Sequence, residues 1–331
     1  MISDTLKTGE GPLHDFDVAD ATPSTRRFLE EAITQVNIHS RPTIDMHPAK
    51  YKERVGLESM IRALEKNSYE FMKVLHNSKR NKVFLVEESK SGERKAAKWF
   101  NQAEHYFKEK EAQEILLGYD RHNNILLADR FIDEDRLIIS PHAARGNLGE
   151  LQKKGRLTLP QVEVVAAHVL DALQYLHDHN LIHRDVKLSN IVLDIGVFGL
   201  ETFQLIDYEF TQYVEFPISK NETEGMVIGT PHYMAPEIYR GKNADLRSDL
   251  YAAGVTFYHC LTGHFPFDGA TDLELFRNHI NKPVPDIRQH NPEMSLAFEE
   301  VFYRALAKNP ADRYQSAVEF KRTLLEAARR K

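Results

Sequence analysis

The chain reads as an α+β protein of two lobes, a small one built on antiparallel strands with one key helix and a larger one that is mainly helical. Three observations carry this. Between residues 69 and 100 apolar residues recur with the two-residue period of strands, and past residue 159 they recur with the period of helices. At 331 residues the chain exceeds one average domain, with a connector near "SPHAARGN" between the two regimes.

The elements follow in order. Residues 1–66 form a polar, helical N-terminal extension. Its first helix opens at Thr22 with Pro23 at the first helical position and carries Phe28, Leu29, Ala32, Ile33 and Val36 on one face. After the connector "NIHSRPTIDMHPA", a second helix, "KYKERVGLESMIRALEK", aligns Val55, Met60, Ile61 and Leu64. Such faces need a surface to cover, so the extension is expected to brace the lobe that follows; the alternative is a site for a regulatory protein. Residues 67–331 then make one domain, with an N-lobe over 67–141 and a C-lobe over 142–331. "YEFMKVLH", "NKVFLVEE" and "RKAAKWF" read as strands with "SKSGE" as a turn, "NQAEHYFKEKEAQEILL" as the N-lobe helix, and "ILLADRFI" and "RLIISP" as two more strands. The C-lobe helices are "LPQVEVVAAHVLDALQYLHDH", "RSDLYAAGVTFYHCLTG", "TDLELFRNHI", "LAFEEVFYRAL" and "SAVEFKRTLLEAARR".

Charge and composition exclude several classes. With 43 basic against 49 acidic residues, nothing global favours nucleic acid or an anionic membrane. No run of about 18 apolar residues is present, and "MISDTLKTGEG" lacks a signal pattern. The lone cysteine, Cys260, lies in apolar "GVTFYHCLTG" and reads as a core thiol. A cytoplasmic protein in a reducing compartment is expected. The spacing of His177, His179 and His183 does not put three ligands on one helix face, which argues against zinc.

The chemistry concentrates in "LIHRDVKLSNIVLD", residues 181–194. Asp185 can orient a hydroxyl, Lys187 can neutralise a transferring phosphate, and the amide oxygen of Asn190 can ligate a metal. This segment resembles the catalytic loop of the eukaryotic-type serine/threonine protein kinases, and the likeness extends over roughly residues 69–328. "KAAKWF" resembles the strand that supplies the phosphate-binding lysine, Lys98. "FKEKEAQEIL" resembles the helix of its ion-pair glutamate, placed at Glu111 with Glu114 as a register alternative. "LIDYEF" falls where D-F-G stands, which makes Asp207 the principal metal ligand. "GTPHYMAPE" resembles the end of an activation segment. Asp249 is expected to hold the catalytic-loop backbone, and Arg313 to pair with Glu237.

The resemblance implies a bilobal protein-kinase-like fold and transfer of the γ-phosphate of ATP to serine or threonine hydroxyls of protein substrates, with autophosphorylation; a pseudokinase acting as scaffold is the alternative. Lys98 would hold the α and β phosphates, Glu111 would hold Lys98, Asn190 and Asp207 would carry magnesium or manganese, and Asp185 would orient the acceptor. Lys187 points to serine and threonine acceptors, and Thr230 is expected to bond both Asp185 and Lys187. Arg184 suggests an activation segment ordered by phosphorylation, with Ser219, Thr223 and Thr211 as acceptors. The adenine would meet backbone groups of Pro141 and Ala143, behind a gate at Ser140, and would be sandwiched by Val83, Ala96 and Val192.

Two places depart from the family. The glycine positions of the nucleotide loop fall on His76, Ser78 and Asn81, so the phosphate clasp is weakened or reshaped. Lys79, Arg80 and Lys82 either contact phosphates in compensation or form a solvated hairpin tip. In the metal segment Tyr208 takes the aromatic position, its hydroxyl needing a partner, and Glu209 replaces glycine, with a surface-facing side chain expected over a metal ligand.

Overall fold

The computed structural model describes residues 58–195, 201–214 and 230–330. The helix expected to open at Thr22 and the acceptors Ser219 and Thr223 lie outside them. The chain gathers into two compact units, Met1–Asn77 with Val83–Arg94, and Ser78–Lys82 with Lys95–Lys331.

In the first unit residues 58–66 are helical (α1) and bury Met60, Ile61 and Leu64, the face the sequence marks as apolar. Its end is tied down where Asn67 donates to the Ala63 carbonyl and Ser89 N–H to the Ser68 carbonyl. Strands β1 (Tyr69–Asn77) and β2 (Asn81–Glu88) are neighbours. Tyr69 and Phe71 alternate with exposed Glu70, and the Phe71 ring meets Phe84 edge-on at 5.6 Å. Gly92 closes the next turn at φ 69°, where a side chain would be strained.

In the second unit β3 (Arg94–Phe100), β5 (Leu137–Pro141) and β4 (Arg130–Ile132) pair antiparallel in that order, with Lys98 opposite Ile138. Strand β4 is shorter than the expected "ILLADRFI"; Ile125 instead makes a lone bridge to Leu205. Helix α2 (Ala103–Leu117) follows β3 and buries Tyr106, Glu109, Ala112, Gln113 and Leu116.

The C-terminal part is helical: α3 (Leu148–Gln152), α4 (Leu159–Asp178), α5 (Pro236–Tyr239), α6 (Leu246–Thr262), α7 (Asp272–Asn281), α8 (Leu296–Ala305) and α9 (Ala317–Arg329). Nearly every residue of α6 is buried, as befits a helix that is apolar all round and sits at the centre of its core. At Gly254 an added Cβ would lie 3.0 Å from the Ala305 Cβ, so glycine lets α8 approach closely. Asp245 caps the start of α6, and Gly263 ends it at φ 77°. Burial pushes the Cys260 thiol up, in keeping with a core thiol. Two small pairs complete the unit: β6 (Leu181–Ile182) with β9 (Gln212–Tyr213), and β7 (Ile191–Ile195) with β8 (Glu201–Leu205). Among the described residues no helix is long and apolar enough to cross a membrane.

Candidate active site

The loop from β6 to β7 is held from below by one acid. Asp249 accepts from the backbone N–H groups of His183 and Arg184, each at 2.8 Å, and sits 3.0 Å from His177 Nε2. Burial alone would raise this carboxyl; the donors gathered on it override that and hold it below its ordinary value. The anchoring sustains a left-handed Arg184 at φ 66°, a conformation that costs a non-glycine residue energy. Arg184 gives its Nη1 to Gln212 Oε1 at 2.8 Å, a neutral partner.

This backbone delivers Asp185 into a closed set of donors. Thr230 Oγ1 donates to one oxygen at 3.0 Å, while Asn190 Nδ2 and Lys187 Nζ donate to the other at 2.9 and 2.5 Å. Lys187 also donates to Thr230 at 3.0 Å, so the triangle of Asp185, Lys187 and Thr230 is formed as the sequence leads one to expect. Asn190 spends its amide N–H groups on the Asp185 carbonyl and carboxylate, and its oxygen accepts only a long 3.4 Å contact from Ser189 Oγ, which leaves it the donor type a hard cation takes.

Asp207 reaches the same place by the β7 to β8 hairpin, which sets Ile191 opposite Leu205, and by the Ile206 N–H donating to the Asn190 carbonyl. It is left-handed, at φ 71°. Lys98 Nζ lies 2.8 Å from Asp207 Oδ1 and 3.0 Å from Glu109 Oε2. This corrects the expectation for Glu111. That residue and Glu114 are both exposed, and Glu114 faces Lys110 at 3.7 Å. Two residues along a helix turn a side chain by about 200°, so with Glu109 on the buried stripe, Glu111 must face away. The missed signal was the stripe itself, since Glu109 falls in line with Tyr106, Ala112, Gln113 and Leu116. Gln113 was missed too: it donates to Glu109 Oε1 at 2.8 Å and accepts from Ala128 N–H at 2.8 Å, fixing the carboxylate that faces Lys98.

Two acids, buried Glu109 and half-buried Asp207, share one ammonium here. Burial would lower Lys98, but Asp207 and Glu109 hold it above its ordinary value. Burial pushes Glu109 up to about 7, only partly offset by Lys98. At Asp207 the same burial is outweighed by Lys98, which holds the carboxyl well below its usual range. The cluster therefore carries more acid than base, and with the Asn190 oxygen it offers hard oxygen donors that fit magnesium or manganese.

Tyr208 is fully buried; its hydroxyl finds the Leu205 carbonyl at 2.7 Å and its ring meets His183 edge-on at 5.5 Å. Glu209 overturns the expectation of a surface residue: its side chain is 3% exposed, with Oε1 2.8 Å from His105 Nδ1 of α2 and 3.7 Å from Arg80. Burial, then the neighbouring Asp207, raise this carboxyl. In the hinge Ala143 is buried, and Ser140 and Pro141 pair with Ala96 and Lys95. Ala96 and Val192 are half-buried, on strands whose neighbours Ala97, Ile191 and Leu193 are buried.

Comparison with known proteins agrees with this geometry. The family described as protein kinase domain matches residues 69–324. Serine/threonine-protein kinase PknF of Mycobacterium tuberculosis is 37% identical over 165 residues, covering 50% of this chain and 34% of the relative. Serine/threonine-protein kinase Pkn1 of Myxococcus xanthus is 37% identical over 161 residues, 48% of this chain and 23% of its own. PknB of Mycobacterium leprae is 33% identical over 172 residues, 52% of this chain and 27% of its own. The chain thus spans about a third or less of the length of these relatives. Its α+β architecture is the bilobal fold of this group, and the chain belongs to the eukaryotic-type serine/threonine protein kinase family.

Proposed function

We propose that the chain is an active, ATP-dependent serine/threonine protein kinase that uses magnesium or manganese, phosphorylates protein substrates and autophosphorylates. The observation that carries this reading is the ammonium of Lys98 placed between Glu109 and Asp207, 3.0 and 2.8 Å away, beside a fully bonded Asp185. In this mechanism Lys98 binds the α and β phosphates and Glu109, held by Gln113, keeps the ammonium in place. Asn190 and Asp207 would hold the metal ion, which when bound would supply positive charge to the phosphate oxygens. Asp185 orients the acceptor hydroxyl and takes up its hydrogen bond. Lys187, fixed by Thr230, offsets the charge that develops on the transferred group. Pro141 and Ala143 present backbone groups to the adenine, and Ala96 and Val192 supply apolar surroundings.

Residues 67–331 act as the catalytic domain, cytoplasmic in location. Residues 1–66 brace the N-lobe, a role supported for residues 58–66 by the burial of Met60, Ile61 and Leu64, and are where a regulatory protein would bind. The pseudokinase reading draws on a specific feature, a nucleotide loop without glycine; against it stand the charged groups of phosphoryl transfer, all present in one cluster. The deciding measurement is transfer of labelled phosphate from ATP to the chain itself and to a basic protein substrate, with magnesium and manganese, and with Asp185→Asn beside it. Transfer by the intact chain that is lost in the variant is the expected result. Silence of the intact chain in both metals leaves the scaffold reading.

A further inference from the structure

The tip between β1 and β2 uses up its own backbone donors. Ser78 N–H donates to the Asn81 carbonyl at 3.0 Å, while the N–H groups of Arg80 and Asn81 both donate to Ser78 Oγ, at 3.3 and 3.1 Å. These three amides close the turn and are not directed outward, so the tip cannot cradle a phosphate with them as a glycine-rich loop does. The turn is also fastened in place. Asn101 N–H, three residues beyond Lys98, donates to the Arg80 carbonyl at 2.9 Å, and the Asn101 carbonyl accepts from Arg136 Nη1 at 2.9 Å.

On that fixed base one side chain is aimed at the site. The guanidinium of Arg80 stands over the Phe210 ring at 5.3 Å, with Nη1 3.7 Å from Glu209 Oε1. Glu209 is two residues past Asp207, which holds Lys98, and its own Oε1 is already 2.8 Å from His105. At 3.7 Å the contact between Arg80 and Glu209 is longer than a hydrogen bond, and the arginine side chain is 53% exposed. Such a pair is held weakly and separates easily.

Resting on the kinase reading, we propose that Arg80 is a phosphate-binding residue of this chain, parked on Glu209 and passed to the phosphates of the nucleotide when it enters. A phosphate group offers a fork of oxygens that matches the planar donors of a guanidinium at hydrogen-bond distance, which Glu209 Oε1, 3.7 Å from Arg80 and without a hydrogen bond of its own, does not. Phe210 keeps the guanidinium plane supported through the exchange. One arginine thereby replaces the amides that the turn has consumed, and Glu209, in the place of a glycine, is its counter-ligand. The two departures from the family are then one device, because each supplies what the other lacks.

Calorimetric titration of the full chain with magnesium ATP, and separately with adenosine, tests this. Arg80→Ala and Arg80→Gln should each weaken magnesium ATP about tenfold, the worth of a charge-assisted hydrogen bond, and leave adenosine within about twofold. Arg80→Lys should fall between. Glu209→Gln, which keeps a polar group facing His105 while removing the competing charge, should tighten magnesium ATP by about two- to threefold. An equal loss for ATP and adenosine, or weakening by Glu209→Gln as well as by Arg80→Ala, overturns the handover and leaves the kinase reading intact. Binding of neither ligand by the unaltered chain overturns both.

Discussion

Two buried charge clusters in this protein are built to opposite specifications. In the C-terminal helices Arg313 meets Glu237 through two hydrogen bonds, at 2.9 and 2.6 Å, and gives its remaining donors to the carbonyls of Ala307, Arg247 and Lys308. Ser248 completes Glu237 at 2.7 Å. One cation faces one anion, and every polar group is used. At the candidate site one cation, Lys98, faces two anions, Glu109 and Asp207. The first cluster is closed and makes structure. The second is short of positive charge by design, and this shortage is what a metal ion and a phosphate-binding site exploit.

The largest effect should come from opening the closed cluster. Arg313→Met leaves Glu237 buried without its counter-charge and should cost about 3–5 kcal/mol of folding free energy, read from the urea midpoint. A loss under about 1 kcal/mol would mean that the pair is idle. Lys98→Met should do the reverse. Phosphate transfer should fall by about 10²–10³, while folding stability moves by less than about 1 kcal/mol. The tolerance follows because Glu109, already raised to about 7, can take up a proton when the ammonium is gone.

The closed cluster should also resist additional positive charge. His279 is buried beside it, with Nδ1 2.9 Å from the Tyr251 hydroxyl and Lys308 donating to its carbonyl at 2.7 Å. Tyr239 and Phe267 flank its ring, and the Arg313 guanidinium lies over Tyr251. Burial, then Lys308 and His232, push His279 down to about 3. The unfolded chain, with histidine near about 6.5, binds the proton first as pH falls, so this contribution is whole above that value and is lost on the way down to 3. By pH 5 the loss should amount to about 2 kcal/mol. Thermal melts across pH 7 to 5 should show the decline, and His279→Gln should flatten it; an unchanged slope in the variant would assign the decline to other groups.

These contrasts also explain what could be read from the sequence. The loop carrying Asp185, Lys187 and Asn190 was legible because its parts lie close along the chain, and the anchors Asp249 and Arg313 because their neighbours are distinctive. Among the described residues the longer helices and the N-lobe strands followed from periodicity; the short α3 and α5, the β7 and β8 pair, two-residue β6 and β9 and the truncated β4 escaped, since tertiary partners decide such short elements. Glu209 was not legible: its burial depends on His105 from α2 and Arg80 from a distant turn. Nothing local announces either.

The smallest effect is the sharpest test of the site's register. "FKEKEAQE" holds Glu109, Glu111 and Glu114 in a turn and a half, so sequence spacing alone cannot choose among them. The fold chooses by burial: Glu109 is 1% exposed and bonded to Lys98 and Gln113, whereas Glu111 lies on the outer face. Glu109→Gln should therefore lower phosphate transfer by about tenfold, because an amide holds the ammonium less firmly than a carboxylate. Glu111→Gln should leave it within about twofold, as for a solvated surface charge. Steady-state transfer rates for the two variants, measured side by side, decide it. A larger loss at Glu111 than at Glu109 would reinstate the register that the sequence suggested, and would require α2 to turn by roughly half a revolution from the position it occupies here.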